Sequence, residues 1–410
     1  MNSRERVLKT INHEEPDRIP VDLGACCWSI VDAPNMPNHN YLRLCEYLGI
    51  KGVKEPIWRD PLMNAVLNPD ERLLQRLGVD FRYLFPGGRM EEIEPGDANG
   101  NGRIMQGPFG WRFKNLGHYG DPDKYLWRDM NTVEDIENSP YWPDPDDPIY
   151  AQSTDFYPEG LRERAKYLHE NTDYAVGIEL YGFGVLADSM TMCFGMDKWM
   201  LNMKRNPKVY YAWINKCLNV TDKIVANILT AVGDYVDVVV MYNDFGTQVS
   251  LNISHEDYCH LFKPYEARQI QRAKLYTKAK VILHSCGSVW SIIKDRAEIG
   301  LDVQNPMQPL ATNMNAEYLK YNFGDIMAFH GGIDIQRLLP FGTPETIRKE
   351  IKRLIRILGP GGGWIAAPSH NIEPETQPEN IMAMYDALQE FGSYPIKDPI
   401  KLTSGAPGAS

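Results

Sequence analysis

A histidine and a cysteine lie one residue apart in this sequence, at the end of an apolar run. They are His284 and Cys286, within residues 281–287. Side chains alternate along a β-strand, so this spacing points both of them to the same side. Imidazole nitrogen and thiolate sulfur are ligands that Zn²⁺ prefers. The pair therefore predicts two zinc ligands; the alternative interpretation is a buried cysteine beside a hydrogen-bonded histidine.

A third ligand candidate, His370, follows the last apolar run of the chain, residues 363–367. Three protein ligands with an open fourth position are typical of a catalytic rather than a structural zinc. The expected cofactor is one Zn²⁺ bound by His284, Cys286 and His370. The other cysteines lack such spacing, and those in helical segments are interpreted as core residues.

Polar residues also follow most of the other apolar runs. The expected catalytic residues are Asp244, His330 and Glu179, and Asp244 could act as a general base, a metal neighbour or the orienting partner of a ligating His. The expected substrate-binding residues are Trp28, Tyr181, Asn305 and Asp334. For each the alternative is a structural role. The polar residues could be hydrogen-bonded core residues, the aromatic residues could simply pack in the core, and Asp334 could cap a helix.

The elements that must position these residues alternate in type along the chain. Apolar runs predict eight strands, at residues 19–23, 79–84, 174–180, 236–242, 280–284, 301–305, 326–330 and 363–367. Helical periodicity lies between several of them, as in residues 344–358. This alternation predicts an α/β fold, a (β/α)₈ TIM barrel, in which polar residues at the carboxyl ends of the strands meet on one rim. A doubly wound sheet is the alternative, but no Gly-rich phosphate turn follows the first strand.

The 410 residues are interpreted as one barrel domain over residues 1–400 and a disordered tail over residues 401–410. Residues 86–148, rich in Gly, Pro, Asp and Trp, are expected to be a surface insertion, with an active-site cover as the sharper hypothesis. The net charge of −11 argues against nucleic acid or anionic membrane as a partner. Seven sparse cysteines suggest the reducing cytoplasm. Whether the chain forms a homo-oligomer is left open.

These segments, in this order, resemble the uroporphyrinogen decarboxylase superfamily, and within it the zinc-dependent, corrinoid-linked methyltransferases. The likeness extends over nearly the whole chain, and its most specific marks are residues 244–248, 284–287, 330–334 and 368–372. It implies a (β/α)₈ barrel with His284 and Cys286 as zinc ligands. The third ligand of such proteins is usually a Cys in a Pro-Gly-Cys segment, whereas this sequence has His370 at that position.

The resemblance implies methyl transfer between a small methylated substrate and Co(I) of a corrinoid. The sequence contains no Asp-x-His-x-x-Gly motif for corrinoid binding, so the cobalamin is expected on a separate corrinoid protein. A His/Cys/His site keeps one more positive charge than a His/Cys/Cys site, which favours O-demethylation of a methyl aryl ether. The alternatives are a methylcobalamin:thiol methyltransferase, a metal-dependent decarboxylase or lyase, and a non-catalytic partner in a methyl-transfer complex.

Uroporphyrinogen itself is not the expected substrate. The decarboxylases that act on it have an arginine-rich segment after the first strand, which binds the carboxylates of the substrate. The matching residues 21–30 contain no arginine. A tetrapyrrole with many carboxylates would therefore lack its cationic clamp there.

Overall fold

Parallel strands at the centre of the molecule carry the helices on their outer side. The computed structural model describes residues 1–24, 26, 28–32, 40–53, 59–60, 63–87, 90–96, 102–115, 120–152, 157–180 and 186–403. The strands in chain order are β1 Phe81–Leu84, β2 Glu91–Glu94, β3 Ile104–Gln106, β4 Arg112–Asn115, β5 Gly120–Lys124, β6 Ala175–Glu179, β7 Val238–Tyr242, β8 Lys280–His284, β9 Val303–Met307, β10 Ala328–Ile333 and β11 Trp364–Pro368.

The helices are α1 Ser3–Ile11, α2 Asn40–Tyr47, α3 Glu71–Leu77, α4 Val133–Glu137, α5 Leu161–Asn171, α6 Ala187–Phe194, α7 Met196–Arg205, α8 Pro207–Val232, α9 His255–Asp257, α10 Lys263–Tyr276, α11 Ile293–Glu298, α12 Ala316–Phe323, α13 Leu338–Phe341, α14 Pro344–Leu358 and α15 Pro378–Phe391. The apolar face predicted for α14 is confirmed, since Ile347, Ile351, Leu354 and Ile355 are all buried. Among the described residues, no helix is both long and apolar enough to cross a membrane.

Seven parallel strands form the main sheet, in the order β1-β6-β7-β8-β9-β10-β11. Five of these strands are buried at every position (β6, β7, β9, β10 and β11), as expected for strands covered on both faces. Seven of the eight predicted strands overlap this sheet, and the prediction for β8 has the same bounds. The (β/α)₈ fold class predicted from the sequence is thus confirmed.

The first predicted strand, residues 19–23, does not form a regular strand. Val21 makes a single parallel bridge to Ala366 of β11, and its carbonyl oxygen accepts a hydrogen bond from the N–H of Asp80, just before β1. This segment therefore takes the eighth place and joins the two edges of the main sheet. The physical reason for its irregularity is local: Pro20 has no N–H, and the N–H of Val21 donates to the Asp80 carboxylate instead of to a strand.

The segment between β1 and α5 contains a second sheet that the sequence did not predict. Its antiparallel strands β2 to β5 are short, and every residue of β2 is exposed. Tryptophans hold the segment against the outer helices: the rings of Trp127 and Trp142 lie 4.8 Å apart, and Trp142 lies 5.9 Å from Trp213 of α8. The role of residues 86–148 as an active-site cover stays a prediction, as does the disorder of the tail, whose residues 404–410 lie outside the described part.

Asp80 ties the closing segment to the first helix. Its fully buried carboxylate accepts from Arg6 at 2.6 Å, from Arg18 at 2.8 Å and from the N–H of Val21 at 2.8 Å. The side chain of Arg6 is 8% exposed and that of Arg18 is 27% exposed. Two guanidinium groups therefore share one buried anion at the seam of the barrel.

We predict that Asp80→Ala lowers the free energy of unfolding by about 3–5 kcal/mol, because it removes the buried anion shared by two guanidinium groups and leaves the buried N–H of Val21 without its acceptor. Urea denaturation of both proteins measures the difference. Asp386→Ala is the matched control: its ion pair with Arg76 is exposed, so its loss should cost less than about 1 kcal/mol. Equal losses in the two variants would contradict this role of Asp80.

Candidate metal centre and cavity

The three predicted zinc ligands lie together at the carboxyl ends of their strands. His284 ends β8, Cys286 follows it by two residues, and His370 lies two residues beyond β11. The Nε2 atom of His284 is 3.1 Å from Sγ of Cys286, and the rings of the two histidines are 5.4 Å apart. One ligand atom from each residue lies within 4.8 Å of the other two. The group has the composition and spacing to bind a metal ion.

Two glycines allow the loops after β7 and β8 to touch at this point. A Cβ atom on Gly246 would lie 2.1 Å from the carbonyl oxygen of Cys286, and one on Gly287 would lie 2.5 Å from the carbonyl oxygen of Thr247. Gly287 also has a φ of +80°, which side chains disfavour. The close contact brings Asp244 to Cys286, whose N–H donates to the carboxylate of Asp244 at 2.7 Å.

A chain of buried hydrogen bonds leads away from His284 on the side opposite Cys286. Its Nδ1 atom lies 2.5 Å from Oδ1 of Asn305 on β9. Nδ2 of Asn305 lies 2.6 Å from Nδ1 of His330 on β10, and Nε2 of His330 lies 2.9 Å from the carboxylate of Asp22. The chain ends at the hydroxyl of Tyr83 on β1, which donates to the same carboxylate at 2.6 Å.

A second carboxylate, Asp188, lies beside Asp244 and was not among the residues singled out from the sequence. Its Oδ2 atom accepts the N–H of Asp244 at 3.2 Å. Asp188 lies in the first turn of α6, eight residues beyond the predicted strand 174–180, so it did not stand out as a strand-end residue. Burial raises the pKa of both carboxyl groups, and for Asp188 the nearby Asp244 raises it further. The candidate metal centre thus has an acidic pair on one side.

Burial also determines the protonation of the three ligand candidates. It lowers the pKa of His284 to about 4. Burial and the neighbouring His284 lower the pKa of His370 to about 3. Burial, followed by the charges of Asp244 and Asp188, raises the pKa of the Cys286 thiol. Both imidazoles are therefore neutral at pH 7, which is the form that can bind a metal.

The aromatic residues expected near the site are partly in place. The Trp28 ring lies 6.1 Å from the ring of His284 and 4.8 Å from that of Tyr242. Trp364, the first residue of β11, is also buried, and its indole N–H donates to the carbonyl oxygen of Gly331. Tyr181 lies outside the described residues. Trp28 is thus the predicted aromatic residue that borders the candidate centre, and its role in binding substrate stays a prediction.

Glu179 and Asp334, two other predicted site residues, are not members of the ligand group. Glu179 is fully buried at the end of β6. The carboxylate of Asp334 accepts hydrogen bonds from the N–H groups of Gln336, Arg337 and Leu338, which is the capping arrangement considered as its alternative. The proposed catalytic and substrate-binding roles of these two residues stay predictions.

A cavity of about 780 Å³ lies directly over the candidate centre. Cys286 and His370 contribute to its floor, and Gln248, Gln308 and Phe341 are among its walls. No Lys or Arg occurs among the described residues that line it. Phe341, at its edge, is 77% exposed. The cavity is therefore wide, open and without a described cationic group.

Two other groups of potential ligands occur among the described residues. Asp22, Cys26 and His330 are fully buried, with Asp22 and His330 already bonded to each other. His255, Cys259 and Asp295 lie at the surface, where Lys263 occupies the carboxylate of Asp295 at 2.7 Å. Two members of the first group, Cys286 and His370, line the cavity described above.

Comparison with known proteins identifies the family of this chain. The sequence profile of the family described as uroporphyrinogen decarboxylase (URO-D) matches residues 186–391, which include the strands β7 to β11 and all three ligand candidates. The chain belongs to the uroporphyrinogen decarboxylase family.

Individual members of the family share limited sequence identity with this chain, and only over part of its length. A uroporphyrinogen decarboxylase of Pseudoalteromonas translucida is 30% identical over 152 residues, 37% of each chain. That of Methylococcus capsulatus is 25% identical over 159 residues, 38% of this chain and 42% of the relative. The matched region thus spans about two fifths of the length of these curated relatives.

Among solved structures, a methyltransferase from Methanosarcina mazei is similar over almost the whole chain. It has a TM-score of 0.59 and covers 95% of this chain and 99% of its own, at 16% sequence identity. At this identity the similarity supports the shared fold.

The lowered pKa values predict that His284 and His370 each destabilise the metal-free protein in acid. The unfolded state takes up protons on both histidines below about pH 6.5, whereas the folded state resists them down to about pH 4 for His284 and about pH 3 for His370. Each buried imidazole should therefore lower the free energy of unfolding by about 1.4 kcal/mol per pH unit below pH 6.

Urea denaturation between pH 4.5 and 7 with a chelator present measures this slope. His370→Gln removes one of the two buried imidazoles. The free energy of unfolding of this variant should therefore fall less steeply with pH, by about 1.4 kcal/mol per pH unit, which corresponds to one proton. Identical slopes in the parent and the variant would contradict a neutral, buried His370.

Proposed function

We propose that this protein is a zinc-dependent methyltransferase that transfers a methyl group from a small methylated substrate to the Co(I) of a separate corrinoid protein. The observation that carries the proposal is the convergence of His284, Cys286 and His370 beneath an open cavity. The URO-D family membership and the fold shared with a methyltransferase are consistent with it.

The donor set fits a catalytic zinc. Nδ1 of His284 is occupied by the oxygen of Asn305, so Nε2, which lies 3.1 Å from Cys286 Sγ, has the free lone pair. Two nitrogens and one sulfur are ligands that zinc commonly uses, and three protein ligands leave a fourth position for a substrate. Bound there, Zn²⁺ would supply a Lewis acid for the heteroatom that carries the methyl group.

The protein's own residues hold this arrangement and give access to it. Cys286 is the one ligand that becomes anionic, and the bond from its N–H to Asp244 fixes the loop that carries it. Trp28 covers one side of His284 with an apolar surface. The cavity of about 780 Å³ beside it is the place where a substrate and a corrinoid presented by another protein would meet.

A methyl aryl ether is the proposed methyl donor. With His370 in place of a second thiolate, the ligand set keeps one more positive charge, and this favours departure of an alkoxide or phenoxide. The described lining of the cavity has no Lys or Arg to pair with a substrate carboxylate. A neutral methoxylated ring fits that lining better than the polycarboxylate on which the named relatives act.

The first test is the metal itself. We expect one zinc per chain in the parent, and Cys286→Ala should release most of it, because the thiolate is the only anionic ligand of the three. His370→Ala should weaken binding, whereas Cys217→Ala, which alters a buried thiol of α8, should leave the zinc content unchanged. Elemental analysis after dialysis measures all four proteins. A zinc content unaffected by the first two changes would refute the site.

The second test concerns the charge of the ligand set. His370→Cys should keep the metal but slow demethylation of the substrate by about 10²–10³-fold, because a second thiolate weakens stabilisation of the leaving oxygen. The assay uses free Co(I) cobalamin as acceptor, so that docking of a protein partner does not enter, with methoxylated aromatics, methylamines and thiols as candidate substrates.

Zinc content and rate are measured on the same preparation in this test. A fully metallated His370→Cys protein that demethylates as fast as the parent would show that the charge argument for the ether substrate is wrong. Decarboxylation without any corrinoid would instead support the decarboxylase alternative.

A further inference from the structure

We propose that Asp22, His330 and Asn305 form a positioning network that fixes the proton of His284 on Nδ1 and thereby keeps its Nε2 lone pair directed at the metal. The inference rests on the metal site of the proposed function. It also gives His330 and Asn305 a role different from the catalytic and substrate-binding roles that the sequence suggested.

The donor and the acceptor of each hydrogen bond in the network follow from the Asp22 carboxylate, which is the acceptor at the end away from His284. The Asp22 side chain receives the N–H of Leu23 at 2.8 Å, the hydroxyl of Tyr83 at 2.6 Å and Nε2 of His330 at 2.9 Å. An ionised carboxylate can only accept, so Nε2 of His330 has to be the atom that carries the hydrogen. Nδ1 of His330 faces the NH₂ group of Asn305 at 2.6 Å, so this ring nitrogen is the acceptor.

The same logic continues through Asn305 to the ligand. The amide NH₂ of Asn305 donates to Nδ1 of His330, so its oxygen is turned towards His284. That oxygen can only accept, which places the hydrogen of His284 on Nδ1. The remaining nitrogen, Nε2, is left with a lone pair on the side of Cys286.

Burial prevents water from replacing any member of the chain. His330 and Asn305 are 0% exposed, Asp22 is 1% exposed and His284 is 3% exposed. Both ring nitrogens of His330 already have partners, and the oxygen and the nitrogen of the Asn305 side chain each have one. Partners of this kind around a metal-binding histidine typically change metal affinity about 10–100-fold.

The test compares four variants with the parent. Asn305→Leu removes the acceptor for His284, and Asn305→Asp restores one, because a carboxylate oxygen can accept the same N–H. Asp22→Asn removes the anion at the end of the chain. Tyr385→Phe is the matched control, because the hydroxyl of Tyr385 donates to the backbone carbonyl of Asp22 and does not enter the chain.

Two measurements are made on each protein. The first is the position of the imidazole proton of His284 in metal-free protein, read from ¹⁵N shifts of selectively labelled histidine. The second is the affinity for Zn²⁺, measured by competition with a chromophoric chelator. We expect the proton on Nδ1 in the parent, in Asn305→Asp and in Tyr385→Phe.

Asn305→Leu and Asp22→Asn should weaken zinc binding by about 10–100-fold, Asn305→Asp should recover most of that loss, and Tyr385→Phe should bind zinc like the parent. A parent with the proton on Nε2, or an Asn305→Leu protein that binds zinc as tightly as the parent, would overturn the network. A parent that binds no zinc would refute the proposed function, and the proton position would still decide the network on its own.

Discussion

A buried histidine can offer one nitrogen to a metal only when the hydrogen on its other nitrogen has an acceptor. In this barrel that acceptor is the side-chain oxygen of Asn305, 2.5 Å from His284. Asn305 is the register partner of His284 on the next strand, so the acceptor is supplied by the sheet itself. The register of β8, β9 and β10 therefore determines which nitrogen of His284 is free to bind a metal.

Much of this fold could be predicted because its strands are buried on both faces and read as apolar runs. The convergence of His284, Cys286 and His370 followed from the rule that parallel strands in a ring end at one rim, and no contact had to be known in advance. The sheet β2 to β5 could not be predicted in the same way. Its strands are short, and β2 shows no apolar alternation because all four of its residues are exposed.

What the sequence could not reveal are pairings between residues far apart in the chain. Asp22 and Asp188 had no visible role as partners, since the first contacts His330 and the second contacts Asp244 only in the folded barrel. The first strand was wrong as a regular strand for a similar reason: the residue that takes the N–H of Val21 is the side chain of Asp80. An apolar pattern alone does not indicate that a side chain, and not a neighbouring strand, accepts this hydrogen bond.

The seam at Val21 has a consequence for how the molecule is made. Val21 is synthesised well before its partner Ala366. The barrel therefore stays open along one edge until β11 has been made, and Asp22 cannot meet His330 until β10 has been made and folded. A nascent chain would hold β8 and its His284–Cys286 pair for some time before the rest of the network exists. Metal binding by all three ligand candidates is thus expected only after β11 and His370 have been made.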